Sequence, residues 1–315
     1  MELKSKQNVS IIIATCASND YLESCLDSIS KQSHPASETI VIDNSLDHDF
    51  SRDIIARYPS VKLYSQHKNI SYCEAMNLGI SQSKGAFILC LNDDVILDHR
   101  FIGKALEGFF IDKNIGMVSG KILRMDRQTL DSCGLTLSCF RTAKEKGYAI
   151  KDRGQFEKPG FIFGVSGAVA FYRKAMLEAI KESKDYLDSD FRFFYEDLDV
   201  AWRANRFGWR GYYMPGAIAY HVRGGTGRKK SGINKPYARR YLNDELHSDL
   251  IKNRYLTIIK NETTLGFLLH FPCILLYDFV MWGYILFFRP ELIRKFLFNT
   301  KYLKQAWYKR RLSRR

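Results

Sequence analysis

None of the seven cysteines stands at C-x-x-C spacing to another, and their number is odd. That spacing speaks against cysteine zinc sites, dithiol redox motifs and a disulfide framework. Several of the cysteines lie in apolar runs, so buried thiols in a reducing compartment are expected. The N-terminal stretch carries no long apolar segment before a cleavage site. No secretory leader is therefore expected, and the globular part is expected in the cytoplasm. Internal repeats and nucleic-acid-binding motifs are also missing. Acids are scarce toward the C-terminus, where Arg289 to Arg315 contain ten Lys/Arg and one acid, Glu291.

What the chain does have is size and positive charge. Its 315 residues, 46% of them hydrophobic, suffice for one large α/β domain with an appendage, or for two smaller domains. The net charge of +14 calls for an anionic partner, such as a nucleotide, a nucleic acid or an anionic membrane surface. The basic cluster follows an apolar, aromatic-rich segment. That arrangement suits a bilayer and a polyprenyl-diphosphate-linked acceptor at its surface, and no nucleic-acid partner is expected.

The first hundred residues alternate between two hydrophobic periods. Residues 9–14, 39–42, 61–65 and 86–91 are short apolar runs rich in β-branched residues, and read as buried strands. Between them, residues 21–30, 52–58 and 70–81 carry helical spacing. Alternation of this kind predicts a mainly parallel sheet with right-handed crossovers. Ligands of such sheets bind beyond the strand carboxyl ends. Thr15, Asp43 and Asn92-Asp93-Asp94 all fall at such ends and should face one crevice. Further on, 117–124 and 211–220 read as strands, 129–154 as a hairpin or loop, and 161–172 as an apolar run interrupted by Gly164-Val165-Ser166-Gly167. That interruption lets backbone approach a ligand closely.

Asn92-Asp93-Asp94 is the sharpest local signal. Two adjacent carboxylates where a buried strand surfaces are costly unless a cation binds them. A hard divalent ion fits, because Mg²⁺ takes one or two carboxylates and completes its shell with water and phosphate oxygens. The competing reading is a strand-end turn with two solvated acids.

Taken in order, several segments resemble a family 2 glycosyltransferase of the GT-A fold. They are Ser10-Ile11-Ile12-Ile13-Ala14-Thr15, Ile40-Val41-Ile42-Asp43-Asn44-Ser45, Asn69 through Asn77-Leu78-Gly79-Ile80 and Leu91-Asn92-Asp93-Asp94-Val95. After these come Gly167-Ala168 with Arg173, Tyr195-Glu196-Asp197-Leu198-Asp199 with Arg203, and Gly208-Trp209 with Pro215 and Tyr220-His221. Among family members the bacterial rhamnosyltransferase-like branch is the most similar. The resemblance implies a nucleotide-diphospho-sugar transferase fold over 1–226, with 227–315 as a helical, membrane-associating basic extension. It implies an inverting enzyme that moves a sugar, such as rhamnose, from a nucleoside diphosphate to a lipid-linked saccharide. A second reading is a catalytically silent, membrane-bound scaffold that keeps the sugar-nucleotide fold. A pyrophosphorylase would want a Gly-rich, Lys/Arg-containing loop after the first strand, and residues 14–20 lack one.

The resemblance also implies roles for individual residues. Asp94 matches the carboxylate that holds Mg²⁺ or Mn²⁺, and His221 would be a further metal ligand or a diphosphate contact. Ala14, Thr15 and Asp43 match the nucleotide-base pocket. Asp93 would contact the donor ribose or sugar, or assist through water. Asn77, Gly167 and Arg223 complete the donor-site set. Asp197 matches the general base, with Glu196 as the fallback. Asp199 lies at the mouth of a helix, where the macrodipole favours an acid. Trp202 and Trp209 could stack on a sugar, although core packing suits both.

Residues 265–288 are almost continuously apolar, long enough for one bilayer span. Pro272, His270 and Asp278 argue against a simple crossing, since a central acid costs about 3 kcal/mol on insertion scales. Basic flanks on both sides define no inside. An in-plane helix or re-entrant pair with a polybasic tail behind it fits better, at the cytoplasmic face of a bacterial inner membrane. The remaining alternative is a helix packed on the main domain or on a partner.

Overall fold

In the computed structural model, residues 7–16, 21–45, 49–222 and 243–312 are described. The parallel core forms as the alternation predicts. Strand β1 (Val9–Thr15) lies between β2 (Glu38–Asp43) and β4 (Phe87–Asn92), and β3 (Val61–Ser65) pairs outside β2. All four run parallel. Strand β1 is flanked by strands on both edges and covered by helices on both faces, which is why its sequence is a continuous apolar run rather than an alternating one.

The remaining strands extend the sheet. They are β5 (Val95–Leu97), β6 (Ile115–Arg124), β7 (Leu130–Ser132), β8 (Leu135–Leu137), β9 (Ala143–Glu145), β10 (Gly160–Ile162), β11 (Val169–Arg173) and β12 (Arg210–His221). The strand order is β10-β12-β6-β11-β4-β1-β2-β3. Strand β11 runs antiparallel between β4 and β6. The apolar run expected over 161–172 is therefore two strands, split where Gly164–Gly167 interrupt it. Because β11 is reversed, its beginning lies at the same rim as the ends of β1, β2, β4 and β12. Residues 129–154 contain the anticipated hairpin as β8 and β9.

Local chemistry sets the helix boundaries. Helix Tyr72–Gln82 starts two residues later than its periodicity suggests, because Ser71 and Glu74 form a reciprocal capping box. It can lie on β1 only because residue 79 is glycine: a Cβ there would come 2.3 Å from Cγ2 of Ile12.

The expected boundary at residue 226 falls outside the described residues. The C-terminal helices are clamped to the sheet-bearing body rather than set apart from it. Helix Asp244–Asn261 buries Lys252, Arg254 and Lys260 almost completely. Lys260 Nζ reaches Asp188 Oδ2 at 2.5 Å, Glu182 Oε2 at 2.8 Å and Asp199 Oδ2 at 3.1 Å. Arg203 Nε adds a 2.8 Å bond to Asp199, and Lys309 pairs with Asp188 and Asp190. Burial opposes ionisation of Asp199, but the Lys260 and Arg203 charges hold its carboxyl below the usual range.

Next comes helix Thr264–Phe288, 25 residues long and apolar enough to cross a membrane by length and composition. One face of it binds the body through Ile274, Met281 and Ile285, all buried. Asp278 accepts from Arg254 at 2.5 Å, Trp282 Nε1 donates to Tyr255 Oη at 2.8 Å, and Arg141 Nη2 lies 2.9 Å from His270 Nδ1. The opposite face is bare, with Phe279 78% and Phe287 79% exposed.

The ion cluster generates a stability prediction. Lys260→Ala would leave Asp188 and Asp199 buried without their shared cation. Such a loss costs about 3–5 kcal/mol, read as a lowered midpoint in urea unfolding. An unchanged midpoint would mean that the cluster does not join the C-terminal helix to the body.

Candidate active site

Five chain segments meet at the strand-end rim. Thr15 ends β1 and sits in register beside Asp43 at the end of β2. Ala14, half-buried, lies beside Asn92 at the end of β4. The backbone N–H of Asn92 donates to the carbonyl of Ala168 at 3.0 Å, which brings the Gly167-Ala168 turn against the acidic triplet. Gly167 N–H in turn donates to Asp197 Oδ2 at 3.1 Å. Asp93-Asp94 and Asp197, a hundred residues apart in sequence, thus flank one short backbone segment.

A side chain at residue 167 would intrude on this junction. A Cβ there would lie 3.0 Å from Glu196 Oε1 and 3.5 Å from Asp197 Oδ2. Tyr72 Oη fixes the same glycine by donating to its carbonyl at 3.1 Å. The role of Gly167 is close approach of backbone to the two acids.

Each carboxylate at the rim has its own environment. Asp43 is fully buried and accepts from the Ser45 backbone N–H at 2.8 Å, from Ser45 Oγ at 2.6 Å and from Ser51 Oγ. These bonds tie Ser45 and Ser51 to the end of β2. Asp93 accepts from Thr15 Oγ1 at 2.7 Å. Burial, together with the Asp94 charge and against the Thr15 bond, pushes its pKa up to about 6. Asp94 Oδ1 faces His221 Nε2 at 3.3 Å, while His221 Nδ1 contacts Asp131 Oδ2 at 2.8 Å. Burial alone would lower the imidazole, but the two carboxylates outweigh it and raise its pKa to about 9.

Helix Glu196–Arg206 presents the other pair of acids. Asp197 caps locally by accepting from Leu198 N–H at 2.7 Å. Glu196 is buried, and its Oε2 has no hydrogen-bond partner among the described residues. Burial, reinforced by the neighbouring Asp197 charge, pushes its pKa up to about 8. That shift favours the protonated form of Glu196 near neutral pH. The turn entering this helix is strained, with Arg192, Phe194 and Tyr195 at φ of 63°, 67° and 68°. Left-handed backbone at non-glycine residues costs on the order of 1–3 kcal/mol each.

Other expected residues do different work. Asn77 binds protein backbone: its Oδ1 accepts from Tyr186 and Leu187 N–H, both at 2.9 Å, and its Nδ2 donates to Leu187 O at 2.6 Å. It ties helix Tyr72–Gln82 to the segment leading toward Glu196. Asp199 belongs to the buried ion cluster rather than to the rim. Trp202 packs against Phe163, and Trp209 against the core beneath the sheet. Arg223 lies outside the described residues. Asp131 was not anticipated. It sits in a mixed polar stretch, and only the pairing of β7 with β6 brings it to His221.

Among the described residues no three His, Cys, Asp or Glu side chains gather as a metal cage. A two-ligand site is still compatible with the rim. Asp94 Oδ1 and His221 Nε2 are 3.3 Å apart, close to the roughly 3 Å between adjacent ligands of an octahedral ion with bonds near 2.1 Å. Such an ion would displace the proton from His221 Nε2 and take its remaining oxygens from diphosphate and water.

The Glu196 proton makes stability depend on pH. Its folded pKa of about 8 lies above the ordinary 4.5. The stability from that retained proton is complete below about 4.5 and is lost as pH rises through about 8. Glu196→Gln should flatten this decline in thermal melts between pH 5 and 9. An equally steep decline in the variant would show that the glutamate is ionised in the folded state.

Three comparisons bear on this geometry. The family model described as "Glycosyltransferase like family 2" matches residues 7–242. The poly-beta-1,6-N-acetyl-D-glucosamine synthase of Staphylococcus epidermidis is 21% identical over 229 residues, covering 70% of this chain and 51% of that protein. The chain thus spans about half the length of the curated relatives it matches. Among solved structures, S. aureus TarS residues 1–349 in complex with UDP-GlcNAc superposes with a TM-score of 0.57 at 17% identity, over 95% of this chain and 81% of that one. The mannosyltransferase PcManGT from Pyrobaculum calidifontis, in complex with GDP-Man and Mn²⁺, gives 0.55 at 13% identity, over 97% and 73%. At such identities the likeness shows the fold, a mixed α/β GT-A sheet flanked by helices.

Proposed function

The chain belongs to glycosyltransferase family 2, and from that premise we propose an inverting, metal-dependent enzyme that moves a sugar from a nucleoside diphosphate to a saccharide at a membrane surface. The observation that carries the reading is the Gly167 junction, with Asp93-Asp94 on one side and Asp197 on the other. One group of acids suits a diphosphate-bound cation and the other suits an attacking hydroxyl.

The acceptor oxygen attacks the anomeric carbon as the bond to the diphosphate oxygen breaks. Its proton goes to Asp197, the nucleoside diphosphate leaves, and a single displacement inverts the anomeric centre. Glu196, protonated, donates a hydrogen bond to a sugar hydroxyl. Thr15 and Asp93 line the nucleotide side, with Ala14 and Asp43 shaping the base pocket. Asp94 and His221 would hold Mg²⁺ or Mn²⁺. Such an ion, when bound, neutralises the charge that grows on the leaving diphosphate. The Mn²⁺ in the PcManGT complex supports this choice of cofactor.

The N-acetylglucosamine polymer of the synthase and the UDP-GlcNAc bound to TarS favour an N-acetylhexosamine donor, while the motif resemblance favours dTDP-rhamnose. A panel of both, with Mg²⁺ and Mn²⁺ and a saccharide acceptor, decides between them. Asp197→Asn with unchanged melting, and Asp94→Asn with melting lowered by the loss of the His221 partner, should each lower turnover at least about a thousandfold, the combined scale of lost base and electrostatic catalysis. Full turnover by both variants would sink the mechanism. Donor binding without any turnover of the native protein would make it the silent scaffold instead.

The membrane reading rests on helix Thr264–Phe288. Its contacts with the body run from His270 to Ile285, about 22 Å of helix at 1.5 Å per residue. A crossing helix held this way would drag the body into hydrocarbon. The helix instead lies in the plane of the bilayer and turns Leu268, Leu275, Leu276, Phe279 and Phe287 outward. The exposed basic residues Arg294, Lys301 and Lys304 then face anionic headgroups and a lipid-linked acceptor at the cytoplasmic side. Phe279→Asp with Phe287→Asp should cut binding to phosphatidylglycerol-containing vesicles more than about tenfold, measured by flotation. Unaltered flotation would refute membrane contact by this face, and protease protection of one helix end in sealed vesicles would mean a crossing.

A further inference from the structure

We propose that Asn253, on helix Asp244–Asn261, is a positioning residue for the transfer reaction, because its amide fixes the strained turn that aims Asp197. The inference rests on the reading of Asp197 as the base.

The turn spans residues 191–195. Phe193 N–H donates to Phe191 O at 2.7 Å, and Arg192 between them has φ 63° and ψ −68°. That is a γ-turn of the rare, strained hand. Phe194 and Tyr195 come next, both with positive φ, and Glu196 begins the helix. None of the three strained residues is glycine. An L-residue readily leaves this region unless its surroundings hold it there.

The C-terminal helix supplies the hold. Asn253 Nδ2 donates toward the carbonyls of Phe191, Phe193 and Phe194 at 2.7, 2.5 and 2.8 Å. Asn253 is fully buried, so water does not compete. Its Oδ1 has no partner among the described residues, so the amide is oriented by its donors alone. Lys252 Nζ adds a 2.7 Å bond to Asp190 O just upstream. Two turns along the same helix, Asn261 Nδ2 and Lys260 Nζ bind Asp199 at 2.8 and 3.1 Å. One helix therefore fixes the backbone before Asp197 and the carboxylate two residues beyond it. Asn253 touches only backbone, and its effect reaches the substrate through Asp197.

The test uses the full chain and the sugar nucleotide that gives turnover in the panel. Asn253→Asp keeps the side-chain shape and removes both N–H donors. It should lower kcat about a hundredfold, the scale of an ångström-sized misplacement, and leave donor KM within about threefold. Phe194→Gly, which tolerates positive φ without a clamp, should recover about tenfold of that loss in the Asn253→Asp background. Asp197→Asn is assayed in parallel: if it turns over normally, the assignment of the base has failed, whatever Asn253 does. If Asp197→Asn is inactive while folded Asn253→Asp keeps its kcat, or loses it without rescue by Phe194→Gly, the positioning role is overturned. Should Asn253→Asp not fold, Asn253→Ser is read in the same way, since its single hydroxyl cannot serve three carbonyls.

Discussion

Carboxylates withdrawn from water at one rim of the sheet are the constraint on which this structure turns. Asp43, Asp93, Asp94 and Asp131 are each 3% exposed or less. Ionised acids so buried require partners. Each meets the requirement differently. Asp43 is held by two serines and a backbone N–H, and Asp93 by Thr15 with a raised pKa. Asp94 and Asp131 share the imidazole of His221. Environments that separate neighbouring acids in this way let similar groups take dissimilar roles. The same principle separates Glu196 from Asp197: burial favours the protonated form of the deeper acid, and the other accepts a hydrogen bond from Gly167 N–H.

Much of this was legible in the sequence. Buried parallel strands advertise themselves as β-branched runs, and strands 1 to 4 ended within a residue or two of their periodic signals. Thr15, Asp43, Asp93 and Asp94 could be assigned to one rim because strand ends in a parallel sheet share a side. Asp131 and the antiparallel insertion of β11 were not legible, because both depend on which distant strand a short segment pairs with. The Asn77 side chain was misleading for a related reason. Its helix does border the site, but no local pattern says which way an amide will turn, and here it turns toward Tyr186 and Leu187.

Net charge is a second place where sequence and structure part. A surplus of +14 suggests a wide basic surface, yet Lys252, Arg254 and Lys260 are buried and Lys309 is tied to Asp188 and Asp190. These cations join the C-terminal helices to the catalytic body. The burial-driven cost of such a cluster is offset only if all its members are present. The C-terminal segment is therefore bound to the folding of the sheet that precedes it. In the segment after helix Thr264–Phe288, Arg294, Lys301 and Lys304 remain exposed, as does the bare apolar face of that helix.

The turn before Glu196 shows why that attachment matters for chemistry. Glycine at residues 192, 194 or 195 would adopt positive φ without strain, and such a turn would need no external support. The chain instead places Arg, Phe and Tyr there, and of these Tyr195 packs against the core. The cost moves from the local sequence to a distant contact, and Asn253 reaches the three carbonyls from a helix some sixty residues away. The backbone that leads into Glu196-Asp197 is thus only as well held as the C-terminal helix is well docked. The next helix carries the bare apolar face, so the contacts that hold the turn before Glu196 and those that support the apolar helix both run through helix Asp244–Asn261.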